Sequence, residues 1–191
     1  MDLIESFELL KKGGFSVADY WIVNSEKDLK NVFPSVLKIT EGHKTDVEGV
    51  YTDLNTMSEI KQAYKKLKQV NKRIIQQKQV KGTEIAVGIA DDPTFGKTIM
   101  FGIGGIFVEV INDVSFRVCP ITEKDSDEMI HEIKSKEILY GKRGIAVDIS
   151  LLRKFLVSVS EFSEKFIINE MDLNPVIFTE KEYFIVDARI V

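Results

Sequence analysis

The chain has 191 residues, 44% of them apolar and 29% charged, with 26 basic against 30 acidic residues and a net charge of -4. That is the balance of an ordinary globular protein, long enough for one domain with a real core or for two small lobes. The slight acidity excludes a surface built to neutralise nucleic acid, and no apolar run approaches the length of a membrane span.

Met1 to Glu5 carries neither a basic start nor an apolar signal region, so a cytoplasmic protein with no membrane partner is expected. Leu3, Phe7 and Leu10 mark one face of a short helix that stops at Gly13-Gly14. Ser25 with Asp28 is an N-cap signal, and Leu29, Val32 and Phe33 follow it as the apolar side of a helix. Ser35 to Thr40 reads as a strand, Glu41 to Glu48 as a polar loop, and a second strand starts at Gly49. Thr56 and Glu59 form a capping box ahead of Ile60, Ala63, Tyr64 and Leu67, spaced as a helix face, and the lysines at 61, 65, 66, 68 and 72 read as a solvated face rather than a basic patch. Arg73 to Gln77 reads as a strand.

Glu84 to Ala90, Thr98 to Phe101 and Phe107 to Ile111 follow as strands with glycine- and proline-rich turns between them. Cys119, the single cysteine, excludes an intrachain disulfide and reads as a small buried hydrophobe. Thr122 and Asp125 cap a helix carrying Met129, Ile130 and Ile133; His131 within it is a surface residue. Leu151, Leu152, Phe155, Leu156 and Val159 line another helix. Phe166 to Met171 and Tyr183 to Ala188 read as the last strands. Helices and strands interleave without repeats, which predicts an α/β or α+β domain whose first third is a separate small lobe.

Four segments hold more polar chemistry than a core requires. Lys38 interrupts an apolar strand, and its charge must reach solvent or an anion because burying it alone is costly. His43, in the following loop beside Lys44 and Asp46, is either a surface histidine or a nucleophile or proton shuttle. The glycines of Phe101-Gly102-Ile103-Gly104-Gly105 make either a tight turn or a close backbone approach to an anion. Along Glu170-Met171-Asp172-Leu173-Asn174-Pro175, strand alternation projects Glu170, Asp172 and Asn174 to one side. That side is either an exposed edge or a seat for a hard cation such as Mg²⁺, which Asp187 could complete.

Taken together, these segments resemble the ATP-grasp subunit of ADP-forming acyl-CoA synthetases, a family that includes the ADP-forming acetyl-CoA synthetases of archaea. The family's lysine-then-histidine loop stands here as Lys38 followed by His43-Lys44-Thr45-Asp46-Val47-Glu48-Gly49-Val50. Its middle block stands as Glu84, Gly88, Asp92-Pro93-Thr94-Phe95-Gly96, Phe101-Gly102-Ile103-Gly104-Gly105 and Val108-Glu109, continued by Asp113, Phe116-Arg117 and Pro120. Gly141, Arg143 and Gly144 fit a later turn, and Asp172-Leu173-Asn174-Pro175 with Asp187-Ala188-Arg189 closes the match, which is collinear over nearly the whole chain.

The resemblance implies an α+β, ATP-grasp fold: two α/β lobes with the nucleotide held between them, 23–76 as the smaller lid lobe and 1–22 plus 77–191 as the larger. It implies reversible synthesis of ATP from ADP, coupled to conversion of acyl-CoA and phosphate into acid and CoA. The partner would be a separate CoA-binding subunit with its own phosphohistidine loop, the two assembling as a heterotetramer. By residue-to-residue matching, His43 relays the phosphoryl group, Arg117 supplies charge beside it, and Lys38 and Gly49 contact phosphates. Gln76, Gln77 and Lys78 grip adenine mainly through backbone, Glu84 faces the nucleotide, and Asp172, Asn174 and Asp187 hold Mg²⁺. Glu48 stands where the family has glycine, Asp91 where a basic residue is common and Lys97 where proline is common. The alternative readings are a non-catalytic or regulatory ATP-grasp module, of the kind fused to protein acetyltransferases, and a relative of succinyl-CoA synthetase. The latter lacks a counterpart of His43 and carries a further C-terminal domain.

Overall fold

The computed structural model describes residues 1–41, 49–70, 72–105, 108, 111–142 and 144–191. The chain divides into two compact units, one made of Asp2–Ile4 and Ala18–Val80, the other of Met1, Glu5–Val17 and Lys81–Val191. No described helix is long and apolar enough to cross a membrane.

The described residues of the smaller unit form an antiparallel sheet under an α-helix. Its strands are β1 (Tyr20–Val23), β2 (Ser35–Ile39), β3 (Val50–Leu54) and β4 (Ile74–Lys78), in the order β1-β4-β2-β3. Boundaries at 23 and 76 would cut through this sheet, because Tyr20 pairs with Gln77 at its edge. Helix α2 (Met57–Lys68) starts on the expected capping box: Glu59 N–H donates to Thr56 Oγ1 (3.2 Å), and Thr56 N–H donates to Glu59 Oε2 (2.9 Å). Its buried stripe Ile60, Ala63, Tyr64 and Leu67 packs on Val23, Leu37, Ile39 and Ile74.

The helix expected after Ser25 is a single 3₁₀ turn, Glu26–Asp28. Ser25 N–H does bond to Asp28 Oδ2 (2.7 Å). The chain then leaves the helical region at Leu29 (ψ 131°). Gln76 holds the Lys30 backbone from both sides, accepting from its N–H (2.7 Å) and donating to its carbonyl (2.8 Å). Pro34 then disfavours helix at the residue before it.

The larger unit opens with helix α1, the element Leu3–Lys12, whose Phe7 and Leu10 are fully buried. Its sheet is antiparallel, with β5 (Thr83–Asp92), β6 (Gly96–Ile103), β7 (Val114–Val118), β8 (Glu170–Phe178), β9 (Tyr183–Ile185) and β10 (Arg189–Ile190). The order is β10-β8-β5-β6-β7, and β9 also pairs with β8. Helices α3 (Glu123–Glu132) and α4 (Ile149–Lys165) belong to the same unit. Thr122 and Asp125 form the predicted capping box on α3, while Asp148 caps α4 by accepting from Ser150 and Leu151 N–H. Phe155 of α4 is the aromatic hub, meeting Phe15, Phe178 and Tyr183 at centroid distances of 5.9, 5.5 and 4.6 Å.

Two strand expectations shift. Phe166 to Asn169 close α4 rather than starting a strand: Phe166 and Ile168 N–H bond back to Phe162 and Ser163 carbonyls, and Ile167 has φ 53°. For the strand expected over Phe107 to Ile111, residues 107, 109 and 110 lie outside those described and Val108 is helical. The strand falls later, at Val114–Val118.

Candidate nucleotide and metal site

In the smaller unit, β2 and β4 give each face of the sheet a different job. Leu37, Ile39, Ile74 and Gln76 face α2. Lys38 therefore points to the other side, where it is 3% exposed. Burial pushes its ammonium down to about 7, because the low-dielectric surroundings penalise the charged form. Gln77 shares this face, set against Val36 of β2 two ladder steps from the Lys38–Ile75 pair. Gln76 does not; its carboxamide is fully used by the Lys30 backbone and by Ser35 Oγ (2.8 Å).

The backbone grip expected from this stretch is largely taken: Lys78 N–H donates to Asp19 O (2.9 Å) and Gln79 N–H to Pro34 O (3.0 Å). Gly49 is buried and accepts from Ile39 N–H (3.0 Å), anchoring β2 to the strand that follows. His43 and Glu48 lie outside the described residues.

In the larger unit, strand pairing sorts the expected residues by face. Glu84, Gly88, Met100, Phe116, Asp172 and Arg189 fall on one side, linked by the pairs Gly88–Met100, Met100–Phe116, Gly88–Asp172 and Asp172–Arg189. Along β8, Glu170 and Asp172 are exposed, Met171 and Leu173 buried, and Asn174 half-buried, so the predicted alternation holds. A β-bulge between Leu173 and Val176 follows it.

Asp187 lies between β9 and β10, both of which pair with β8 in one continuous register: Ile185 faces Val176 and Arg189 faces Asp172. Val186 N–H donates to Pro175 O (3.3 Å) between them, which sets Asp187 opposite Asn174. Asp172, Asn174 and Asp187 are thus drawn together by register. Two carboxylates and a carboxamide form an all-oxygen donor set of the kind that suits Mg²⁺. Among the described residues no group of three His, Cys, Asp or Glu side chains is gathered to hold a metal ion; this set has only two carboxylates, and Asn174 would be its third donor.

Arg117 is a correction. It pairs with Ile99, which pairs with Ile89, which pairs with Met171, so it lies on the helix-covered face, opposite to Asp172 and Glu84. Its guanidinium forks onto Glu132 of α3 (2.9 and 2.5 Å), with Glu128 at 3.5 Å. Those carboxylates hold its pKa above the usual value. Its neighbour Phe116 is 58% exposed on the other face.

The glycine run serves close backbone packing. Gly104 N–H donates to Glu84 O (2.8 Å), and a Cβ there would lie 3.1 Å from Glu84 Cβ; Gly105 turns with φ 65°. Lys97 reaches the end of α4, donating to Ser163 O (2.9 Å). Cys119 is half-buried, and burial raises its thiol pKa, so it is a poor nucleophile.

The sequence profile of the ATP-grasp domain matches residues 1–191. The chain belongs to the ATP-grasp family. It is 38% identical to ADP-forming acetate–CoA ligase II of Archaeoglobus fulgidus over 98% of its own length, but spans only 29% of that longer protein. It is 37% identical to the beta subunit of ADP-forming acetate–CoA ligase I of Pyrococcus furiosus, again over 98% of this chain and 89% of the subunit. The fold matches dinucleotide-forming acetyl-coenzyme A synthetase 1 of Ca. Korarchaeum cryptofilum. In complex with coenzyme A and Ca-AMPCP, that protein gives a TM-score of 0.89 at 36% identity, covering 100% of this chain and 92% of the other. A second structure of it holds coenzyme A and Mg-AMPPCP, with its phosphohistidine segment pointing towards the nucleotide binding site; there the TM-score is 0.81 at 36% identity, over 99% and 91% of the two chains.

One feature of this ATP-grasp domain escaped the sequence reading. Thr40 continues the Val36, Lys38 alternation, so its hydroxyl belongs to the lysine's face. The period of two along β2 was the signal that could have found it.

Proposed function

We propose that this chain is the nucleotide-binding component of an ADP-forming acyl-CoA synthetase, an acid–thiol ligase of the cytoplasm. It makes ATP from ADP by phosphohistidine relay, coupled to conversion of acyl-CoA and phosphate into acid and CoA. The CoA chemistry and the first phosphohistidine come from a separate CoA-binding subunit, in a heterotetramer. The observation that carries the reading is the register that sets Asp187 opposite Asn174, with Asp172 on the same face.

In this reading Lys38 and Gly49 take the nucleotide's phosphates, and Gln77 and Lys78 lie towards its base. Glu84 is assigned to the nucleotide as well. Asp172, Asn174 and Asp187 hold Mg²⁺, which when bound would offset phosphoryl charge. His43 receives the phosphoryl group from the partner's phosphohistidine and passes it to ADP. A neutral imidazole is a competent nucleophile for that exchange, and the transfer depends mostly on positioning and charge neutralisation. Lys38 supports it by regaining its proton when polyphosphate arrives, so its positive charge develops where negative charge gathers.

Calorimetric titration with ADP, with and without Mg²⁺, tests the site. Asp187→Ala and Asn174→Ala should each weaken Mg²⁺-dependent binding at least tenfold, which is about 1.4 kcal/mol, and leave metal-free binding nearly unchanged. Equal affinity in both variants and the wild type would remove the metal assignment. With the CoA-binding subunit added, His43→Ala should abolish acyl-CoA-dependent ATP synthesis; full activity would refute the relay.

A further inference from the structure

Helices α2 and α3 carry opposite charges in matching arrangements. α2 holds four lysines and one glutamate, α3 five acidic residues and one lysine. On α2, Lys61, Lys65 and Lys68 follow at i, i+4 and i+7, an exposed stripe about 10 Å long. They gather around one carboxylate. Lys61 Nζ lies 3.0 Å from Glu26 Oε1. The hydrogen bond and charge of Lys61, then the charges of Lys65 and Lys68, hold the Glu26 carboxyl below its usual range. On α3, Asp125, Glu128 and Glu132 follow at i, i+3 and i+7, a stripe of the same length. They gather around one guanidinium. Arg117 Nη2 lies 2.5 Å from Glu132 Oε1 and 3.5 Å from Glu128 Oε2. Bonds from Thr122, then the charge of Arg117, lower the Asp125 carboxyl.

Neither stripe serves its own helix well. Lys61–Lys65 and Glu128–Glu132 are like-charge pairs at i, i+4, and Lys65–Lys68 and Asp125–Glu128 are like-charge pairs at i, i+3. Like charges at these spacings destabilise a helix, whereas a helix built to face water alternates its signs there. The helix dipole favours lysines in the last turn of α2 and acids in the first turn of α3, but it opposes Glu132 in the last turn of α3. Local counter-ions do not balance either stripe. Three ammoniums share Glu26, and three carboxylates share Arg117, with the 86% exposed Lys124 reaching Glu128 at 3.7 Å. The imbalance extends to the units that carry the helices. The smaller holds 11 basic and 9 acidic residues, the larger 15 and 21, so the two are of opposite sign.

We propose that the Lys61, Lys65, Lys68 stripe of one copy of this chain docks on the Asp125, Glu128, Glu132 stripe of a second copy. The two stripes are equal in length and opposite in sign, and joining them gives each the counter-charges that its own surroundings lack. A second copy is the occupant because the complementary stripe is already part of this chain. Each copy carries both halves, so the contact is heterologous: it closes into a ring or pair, or it continues from copy to copy. The proposal does not depend on the nucleotide reading, since none of the six stripe residues is assigned there to nucleotide or metal.

Sedimentation velocity of the full chain tests it. In about 0.05 M salt the wild type should associate as its concentration rises. In about 0.5 M salt, where charges are screened beyond about 4 Å, it should stay monomeric. Lys65→Glu with Lys68→Glu reverses the α2 stripe, and Glu128→Lys with Glu132→Lys reverses the α3 stripe. Each double variant alone should associate at least tenfold more weakly than the wild type. Mixed one to one, the two should associate again to within about threefold of it, because every contact between unlike variants joins opposite signs. Lys12→Glu with Lys181→Glu makes the same change in net charge away from both stripes and should leave association within twofold. A wild type that is monomeric in both salts would overturn the proposal. So would a mixture that associates no better than its components, or a loss in the Lys12 and Lys181 variant as large as in the stripe variants. Should the α3 reversal not fold, because Glu132 holds Arg117, Glu128→Lys alone replaces it and is read by the same mixture.

Discussion

Mg-ADP binding at pH 8.5 should draw close to one proton from solution, and at pH 6 almost none. Burial pushes Lys38 from 10.5 down to about 7. At that value only about 3% of the nucleotide-free chain carries the ammonium at pH 8.5, against about 90% at pH 6. A polyphosphate beside it restores the charged form, so binding at the higher pH takes up close to one proton. Calorimetry in two buffers of unlike ionisation enthalpy measures that uptake directly. Lys38→Met corrects for protons exchanged by the nucleotide itself. The same shift governs stability. The folded value lies below the unfolded one, so from about pH 7 to 10.5 the unfolded chain holds more protons and stability rises with pH. Below that window the buried ammonium costs about 5 kcal/mol relative to an unshifted lysine, a cost Lys38→Met removes. Equal proton uptake by wild type and Lys38→Met, or stability flat between pH 7 and 10, would refute the argument.

Arg117→Met should lower stability by about 1 kcal/mol, the worth of a half-exposed forked pair, and leave the Mg-ADP dissociation constant within twofold. A tenfold loss of affinity would return Arg117 to the nucleotide site. Gly82→Ala would place a Cβ 2.2 Å from Phe178 O; urea denaturation should show a loss of at least about 1–3 kcal/mol, and unchanged stability would mean that β8 yields freely there. Burial alone would raise the Asp113 carboxyl, yet hydrogen bonds from the Ser135 hydroxyl and the Lys134 and Ser135 N–H groups outweigh it and hold the carboxyl below its usual range. Its stabilisation is therefore present above about pH 4 and lost as pH falls through the lower folded value. Asp113→Asn should flatten the acid limb of the stability curve, and an unaltered limb would assign it to other carboxylates.

Local signals carried far in this chain. The Thr56–Glu59 and Thr122–Asp125 boxes each satisfy helix N–H groups within four residues, so nothing distant is needed to read them. The Ser25–Asp28 pair has the same chemistry and shares the bond from the cap N–H to the carboxylate, but Asp28 N–H donates to the Ser25 carbonyl rather than its hydroxyl, and no helix follows; Gln76 reaches across 46 residues to fix the Lys30 backbone. Phe166 to Asn169 has strand composition but is spent on closing α4, a choice made by bonds to Phe162 and Ser163.

The candidate site divides along the same line. Residue type and strand alternation were enough to single out Lys38 as an interrupted apolar strand and to aim Glu170, Asp172 and Asn174 together, since a period of two is written into the chain itself. Which strands meet is not. Only the β8 register sets Asp187 opposite Asn174, and only the chain of pairs from β7 to β8 turns Arg117 to the far face, where Glu128 and Glu132 of α3 hold it. Burial decided the rest: a lysine, a threonine and a glutamine two residues apart in pleat become one buried polar row when β4 is laid against β2. Hydrogen bonding within a few residues can be read from sequence because its partners are adjacent; faces and registers depend on long-range pairing, which only the folded sheet selects.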